Sequence, residues 1–236
     1  MKKLFTFIFI LVLMVSMVFV GFLFGPQISE LLFDTSTEAK WLSERFSETL
    51  KEKNDDIYAW ITIPETNVDY PIVQSYSESD AFYLDHNINK NYDINGAIYT
   101  EKLNNTDFSD PVTVIYGHNM IDGSMFQTLH KFRDKEFFEK NKYIYIYTPG
   151  RTLTYTIVAA YKGDNRHLLN SYDFTDDEVL EKYYDSVSSP NSLECNTREY
   201  DLKKEDKIIT LSTCIGNETE YRYLVQGVLT DDTARE

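Results

Sequence analysis

Cys214 and Arg222 lie eight residues apart, on either side of Gly216-Asn217. The stretches around them, Lys207 to Thr213 and Tyr223 to Val228, alternate in the manner of strands. Two such runs about a Gly-Asn pair read as a β-hairpin, here with a loop of about five residues. A centre near position 218 sets Cys214 directly opposite Arg222, and opposed residues share a face with Cβ atoms roughly 5 Å apart. A thiol beside a fixed cation is favoured as thiolate, the nucleophilic form. Arginine keeps its proton throughout, so its planar fork can hold a carbonyl or a developing oxyanion.

The register has an internal check. It sets Thr210, Ser212 and Cys214 with Arg222, Leu224 and Gln226 on one mixed polar surface, and Ile209 and Leu211 with Tyr223 and Val225 on a core face. A slip of one residue would exchange the faces and bury Arg222. The pair also suits a cysteine that merely packs beside a surface arginine, and spacing does not separate the two readings.

Of the four histidines, His118 alone has an informative setting. Pro111 to Tyr116 reads as an apolar strand, and Gly117 and His118 follow at its end. Catalytic groups are often carried on loops at the ends of rigid elements. An imidazole there can accept a thiol proton, and an imidazolium can protonate a leaving amine. His86, His130 and His167 sit in polar or helical surroundings and read as surface or loop residues. Spacing does not bring His118 to Cys214.

The elements that must carry these groups are mainly strands. They are expected at 58–63, 68–73, 96–100, 112–117, 142–148, 152–162, 207–213 and 221–229. Eighteen Tyr and 15 Phe against 9 Gly fit a β-rich fold with aromatic faces. Helices are expected at 36–53, 79–85, 123–140 and 175–187. The last opens with Thr175-Asp-Asp-Glu178, a capping box with acidic first-turn residues. About eight strands, few helices and one long helical insertion indicate a closed or nearly closed antiparallel barrel. The 236 residues suffice for one domain with a full core.

The amino terminus is of another kind. Lys2-Lys3 precedes Leu4 to Phe24, interrupted only by Thr6, Ser16 and Gly21. Such a run reaches about 30 Å as a helix, a bilayer's hydrocarbon thickness. It reads as an uncleaved signal anchor: residues 1–3 cytosolic, 4–24 in the cell membrane as a single pass, 25–34 a stalk, and 35–236 an extracellular domain. A net charge of −15 without a basic stripe argues against nucleic acid as a partner. Two cysteines make no disulfide framework, and a Cys195–Cys214 bridge would silence both thiols. No regular metal-ligand spacing occurs; Asp176 and Asp177 read as helix-start acids. No metal and no cofactor are expected.

Thr210-Leu-Ser-Thr-Cys214 resembles the TLxTC signature of the sortase family, with Arg222 on the next strand, and Tyr116-Gly117-His118-Asn119 is similar to that family's histidine segment. The helical extension at 36–53 and the helix-bearing insertion before 207–213 resemble class B. The resemblance implies an eight-stranded sortase barrel preceded by a transmembrane helix, and a cysteine transpeptidase with Cys214, His118 and Arg222 as catalytic residues. It implies Ser212 on the groove floor and Tyr172 in one wall, although packing or exposure suits Tyr172 equally. The implied partners are secreted proteins bearing a C-terminal sorting motif, related to NPQTN or (S/P)PxTG, and a peptidoglycan amine or that of its lipid-linked precursor. A class C or D member, or a barrel that only binds, is the alternative.

Overall fold

Alternation along each strand sorts side chains between two faces, and the computed structural model, which describes residues 53–234, shows one face of every long strand turned into a single core. β1 (Ile57–Thr62), β2 (Asp69–Val73), β3 (Ile98–Tyr99), β4 (Val112–Tyr116), β5 (Tyr143–Thr148), β6 (Arg151–Asp164), β7 (Cys195–Thr197), β8 (Ile208–Ile215) and β9 (Glu218–Ala234) follow in chain order. They join as β5-β1-β2-β3-β4-β8-β9-β6, and β5 pairs with β6 to close an eight-stranded barrel. β7, which lacks any alternating pattern, adds to the far half of β6 through Tyr161, Ala160 and Ala159.

The barrel is mixed rather than antiparallel. β2 runs parallel to β3, and β4 parallel to β8. Alternation is blind to strand direction, and the long chain between β4 and β8 provides the crossover that a parallel pair requires. Inside lie Ala59, Ile61, Ile144, Ile146, Tyr155, Ile157, Ile209, Leu211, Tyr223 and Val225. The expected core face of the hairpin is therefore the observed one.

The opposite face of β4, β8, β9 and β6 is not a polar surface. Three helices are added: α1 (Lys135–Lys140), α2 (Leu168–Ser171) and α3 (Asp177–Ser188). α3 seats Leu180, Tyr183, Tyr184 and Val187 on Val112, Val114, Val158 and Val228. Thr210 and Gln226 are consequently fully buried. Hydrogen bonds of Thr210 Oγ1 and Gln226 Nε2 offset part of the cost of burying them, while Gln226 Oε1 has no partner among the described residues. Gln226 Nε2 donates to Tyr183 Oη at 2.9 Å and to Thr210 Oγ1 at 3.1 Å, which docks the helix on the strands.

Helix boundaries move for local reasons. α3 is capped by Asp176, whose carboxylate accepts from the Glu178 and Val179 N–H groups, while Thr175 turns back to Asp173. The helix expected at 123–140 divides into a 3-10 segment, Gln127–Arg133, and α1. Asp134 separates them in extended backbone and caps Phe137 N–H. The helix expected at 79–85 is one 3-10 turn, Phe82–Leu84. The strand expected at 96–100 shortens to β3 because Gly96, at φ +59°, turns hard against the Tyr83 and Leu84 carbonyls. Residues 1–52, with the expected anchor, stalk and nearly all of the helix at 36–53, lie outside the described residues. Among the described residues no helix is long and apolar enough to cross a membrane.

Gly117 joins β4 to the segment bearing His118. A Cβ there would stand 2.5 Å from Ile98 Cδ1 and 2.7 Å from Phe126 Cδ2. Gly117→Ala is expected to cost about 1–3 kcal/mol through overpacking, read as a lower denaturation midpoint. A midpoint equal to wild type would show that the core yields there without strain.

Candidate active site

The hairpin tip differs from the simple loop. Ile215 pairs with Glu218, so Gly216, at φ +46°, and Asn217 form a two-residue turn. Cys214 nevertheless pairs with Arg222, because β9 inserts Thr219, Glu220 and Tyr221 as a bulge between the two pairings. Bulges bend a strand and re-aim its side chains. Asn165, just past β6, fixes this one by donating its backbone N–H to Glu220 O and its side-chain Nδ2 to Thr219 O. Arg222 Nη1 donates to the carbonyls of Thr219, at 3.1 Å, and Tyr221, at 2.8 Å. Its Nε and Nη2 have no hydrogen-bond partner among the described residues. Gly163 pairs with Arg222 on the other side, so no side chain of β6 covers the guanidinium at that level.

The parallel pair β4–β8 carries the histidine. Tyr116 pairs with Ser212, and Gly117 N–H donates to Ser212 O at 3.2 Å. His118 and Cys214 each lie two residues beyond the Tyr116–Ser212 pair, so the parallel register brings both chain segments to the same end of the barrel. His118 Nε2 meets the Leu84 carbonyl at 2.6 Å. A carbonyl only accepts, so Nε2 carries a hydrogen and Nδ1 is the nitrogen left to exchange a proton. Cys214 is half-buried, and both it and Cys195 are free thiols.

Around this centre, Tyr99 stacks on Tyr116 at 5.3 Å. Burial first, then the Glu101 carboxylate, holds the Tyr99 phenol well above its ordinary range, and Cys214 and Arg222 act on it in opposite senses. Both therefore lie within electrostatic reach of Tyr99. Ser212 is buried two positions before Cys214 on the same face. Tyr172 stands elsewhere: its ring faces Phe174 and Tyr183, its hydroxyl accepts from Arg166, and it lines a cleft of about 700 Å³ bounded also by Asp110, Leu180 and Lys204. Cys214, His118 and Arg222 are not among that cleft's lining residues. No cluster of three or more His, Cys, Asp or Glu suited to a metal ion occurs among the described residues.

Sequence reasoning passed over two groups. His167 bonds Glu101 through Nε2 at 2.9 Å and accepts from Asn170 N–H, joining α2 to the end of β3. His130, in the 3-10 segment, directs Nε2 to the Cys214 carbonyl at 3.0 Å and lies 4.9 Å from the Tyr223 ring. Its placement beneath the cysteine depends on a fold-level contact that leaves no local pattern in the sequence.

Residues 61–230 match the model of the Sortase domain. The chain is 35% identical over 184 residues to Sortase B of Listeria monocytogenes, spanning 76% of this chain and 72% of that protein. Among solved structures, sortase B of Clostridium perfringens superposes with a TM-score of 0.70 at 34% identity, covering 78% of this chain and 99% of that one. A Streptococcus pyogenes class B sortase involved in pilus biogenesis gives 0.68 at 28% identity, covering 80% and 100%. This chain belongs to the sortase family of cysteine transpeptidases. Within that family it is similar to class B.

Burial, reinforced by the Arg133 charge, pushes the His130 pKa below the ordinary 6.5, against the opposing effect of its bond to Cys214 O. The unfolded chain therefore binds more protons there than the folded one. The associated stability is complete above the unfolded value and is lost as pH falls from there through the lower folded value. His130→Gln is expected to flatten the fall in stability that sets in as pH drops below the ordinary histidine value of 6.5. An NMR titration should find His130 mostly neutral at pH 6.5. Half-protonation of His130 at that pH would contradict the assignment.

Proposed function

We propose that this sortase cleaves a C-terminal sorting motif, related to NPQTN or (S/P)PxTG, after its threonine and passes the carboxyl end to a peptidoglycan amine. Cys214, His118 and Arg222 are the catalytic residues. The observation that carries the reading is one register: Cys214 lies opposite Arg222 on β9, and Ser212, two residues before it, pairs with Tyr116, two residues before His118.

The Cys214 thiolate attacks the threonine carbonyl, and its electrons move to oxygen. The free N–H groups of Arg222 stabilise that oxyanion. As the C–N bond breaks, His118 Nδ1 gives its proton to the departing amine, leaving a thioester on Cys214. An incoming amine then attacks the thioester, His118 Nδ1 takes the proton it sheds, and the thiolate is released. Nε2 keeps its hydrogen and donates it to the Leu84 carbonyl throughout, so the ring turns over without changing its anchor. Ser212 is a substrate contact in this reading, since its side chain follows Cys214 along the same face of β8. Tyr172 serves more remotely, in the wall built by the insertion.

Residues 4–24 hold the domain to the outer face of the cell membrane, on the strength of their apolar length and the lysines before them. Removing residues 1–24 should move the protein from the membrane to the soluble fraction; unchanged membrane retention would refute the anchor.

The full chain, incubated with a panel of sorting peptides, should cleave at least one. Cys214→Ala should abolish cleavage. His118→Ala and Arg222→Ala should each reduce it about 100-fold or more. A methanethiosulfonate reagent should modify Cys214 and stop turnover. Undiminished cleavage by Cys214→Ala, or after modification, would remove the mechanism; near-wild-type cleavage by Arg222→Ala would remove the oxyanion role alone.

A further inference from the structure

The β4–β8 ladder stops at the reacting residues, and side chains replace it. In a parallel pair each rung lies two residues beyond the last. After Gly117 N–H to Ser212 O, the next would run from the Asn119 N–H to Cys214 O. The chain has turned away by then: Asn119 bridges to Met125, and His118 O accepts Phe126 N–H at 2.9 Å. Asn119 supplies the missing rung with its side chain, Nδ2 donating to Cys214 O at 3.0 Å. His130 Nε2 donates to the same oxygen at 3.0 Å. A carbonyl has two lone pairs, so both are engaged. The antiparallel ladder also breaks here, because the β9 bulge begins between Cys214 and Ile215.

We infer that Asn119 and His130 are positioning residues, a two-donor clamp on the Cys214 carbonyl that fixes its sulfur relative to the His118 ring. The inference rests on the reading of Cys214 and His118 as the reacting pair. Asn119 is the covalent neighbour of His118, so one side chain spans from the acid/base loop to the nucleophile's own peptide. His130 approaches from the 3-10 segment, with its ring against Tyr223, and Arg133 also lies over that aromatic, 5.2 Å from its centroid. The two donors thus arrive from separate elements and resist different displacements. Misplacement by about 1 Å is enough to slow a positioned reaction roughly 100-fold. In this reading neither residue touches the substrate, so the effect falls on kcat rather than KM.

The test uses the full chain with Asn119→Ala, His130→Ala and His130→Gln. Two readouts are taken: cleavage kinetics on the peptide accepted in the panel, and the iodoacetamide labelling rate of Cys214 across pH, separated from Cys195 by peptide mass mapping. Asn119→Ala and His130→Ala are each expected to lower kcat tenfold or more at unchanged KM and to alter the pH profile of labelling. His130→Gln, which keeps an amide donor at comparable reach, is expected to recover most of the rate. Wild-type kcat and labelling profile in Asn119→Ala and His130→Gln alike, with a similar result for His130→Ala where it folds, would overturn the clamp. Loss in His130→Gln equal to that in His130→Ala would overturn the donor role of His130. Failure of wild-type Cys214 to label, with cleavage persisting in Cys214→Ala, would instead defeat the reacting pair and the clamp with it.

Discussion

Two parallel strands that start at Val112 and Ile208 stay paired as far as Tyr116 and Ser212, two residues short of His118 and Cys214. Each rung advances both chains by two residues, so the register fixed at Val114↔Thr210 is carried to Tyr116↔Ser212 at the rim. Everything chemical depends on that transfer. The residues are nearly a hundred positions apart, and no local turn could align them. The buried rungs do so because a slip by one residue would put Ile209 and Leu211, now inside the barrel, on the opposite face.

The insertion between β6 and β8 then decides which part of that face remains accessible. α3 covers the lower half of β8 and β9 and bonds Thr210 Oγ1 and Gln226 Nε2 through the Tyr183 hydroxyl. Only toward the hairpin tip does the face emerge, with Cys214 and Arg222 half-buried. Gly163 contributes by absence: a Cβ there would stand 3.0 Å from Leu224 Cδ1. A side chain on β6 would therefore crowd the strip on which Arg222 stands. The site is the uncovered end of a surface that is otherwise closed.

Much of this was legible in the sequence, for definable reasons. Alternation about Gly216-Asn217 was sufficient to oppose Cys214 and Arg222 and to choose the core face, because side-chain period and burial are local properties. The barrel followed from the number of strands. Strand direction did not, since a parallel and an antiparallel partner demand the same alternation. The bulge at Thr219–Tyr221 was hidden too: a five-residue loop and a two-residue turn with three inserted residues keep the same Cys–Arg pairing. His130 was read as a surface group because its 3-10 segment is nondescript; only the closed barrel brings it under Cys214. The covering of the Thr210–Gln226 face by α3 likewise needed a tertiary contact that spacing does not encode.

The bulge and the broken ladder are two sides of one requirement. A residue held by regular rungs on both edges has its carbonyl committed to the sheet and its side chain set by the pleat. Cys214 is released from both ladders at its carboxyl side, by the bulge toward β9 and by the turn of the chain after Gly117 toward β4. That release lets the thiol stand at a rim rather than in a packed row. It also leaves a partly buried carbonyl in need of donors, and unpaired backbone acceptors in such places are costly. Asn119 and His130 meet that need. Arg222 behaves similarly, using Nη1 to satisfy the bulge carbonyls that its own displacement creates. The departures from sheet regularity at this rim thus fall at the residues proposed for chemistry, and neighbouring side chains, Asn119, His130, Asn165 and Arg222, satisfy the carbonyls they free.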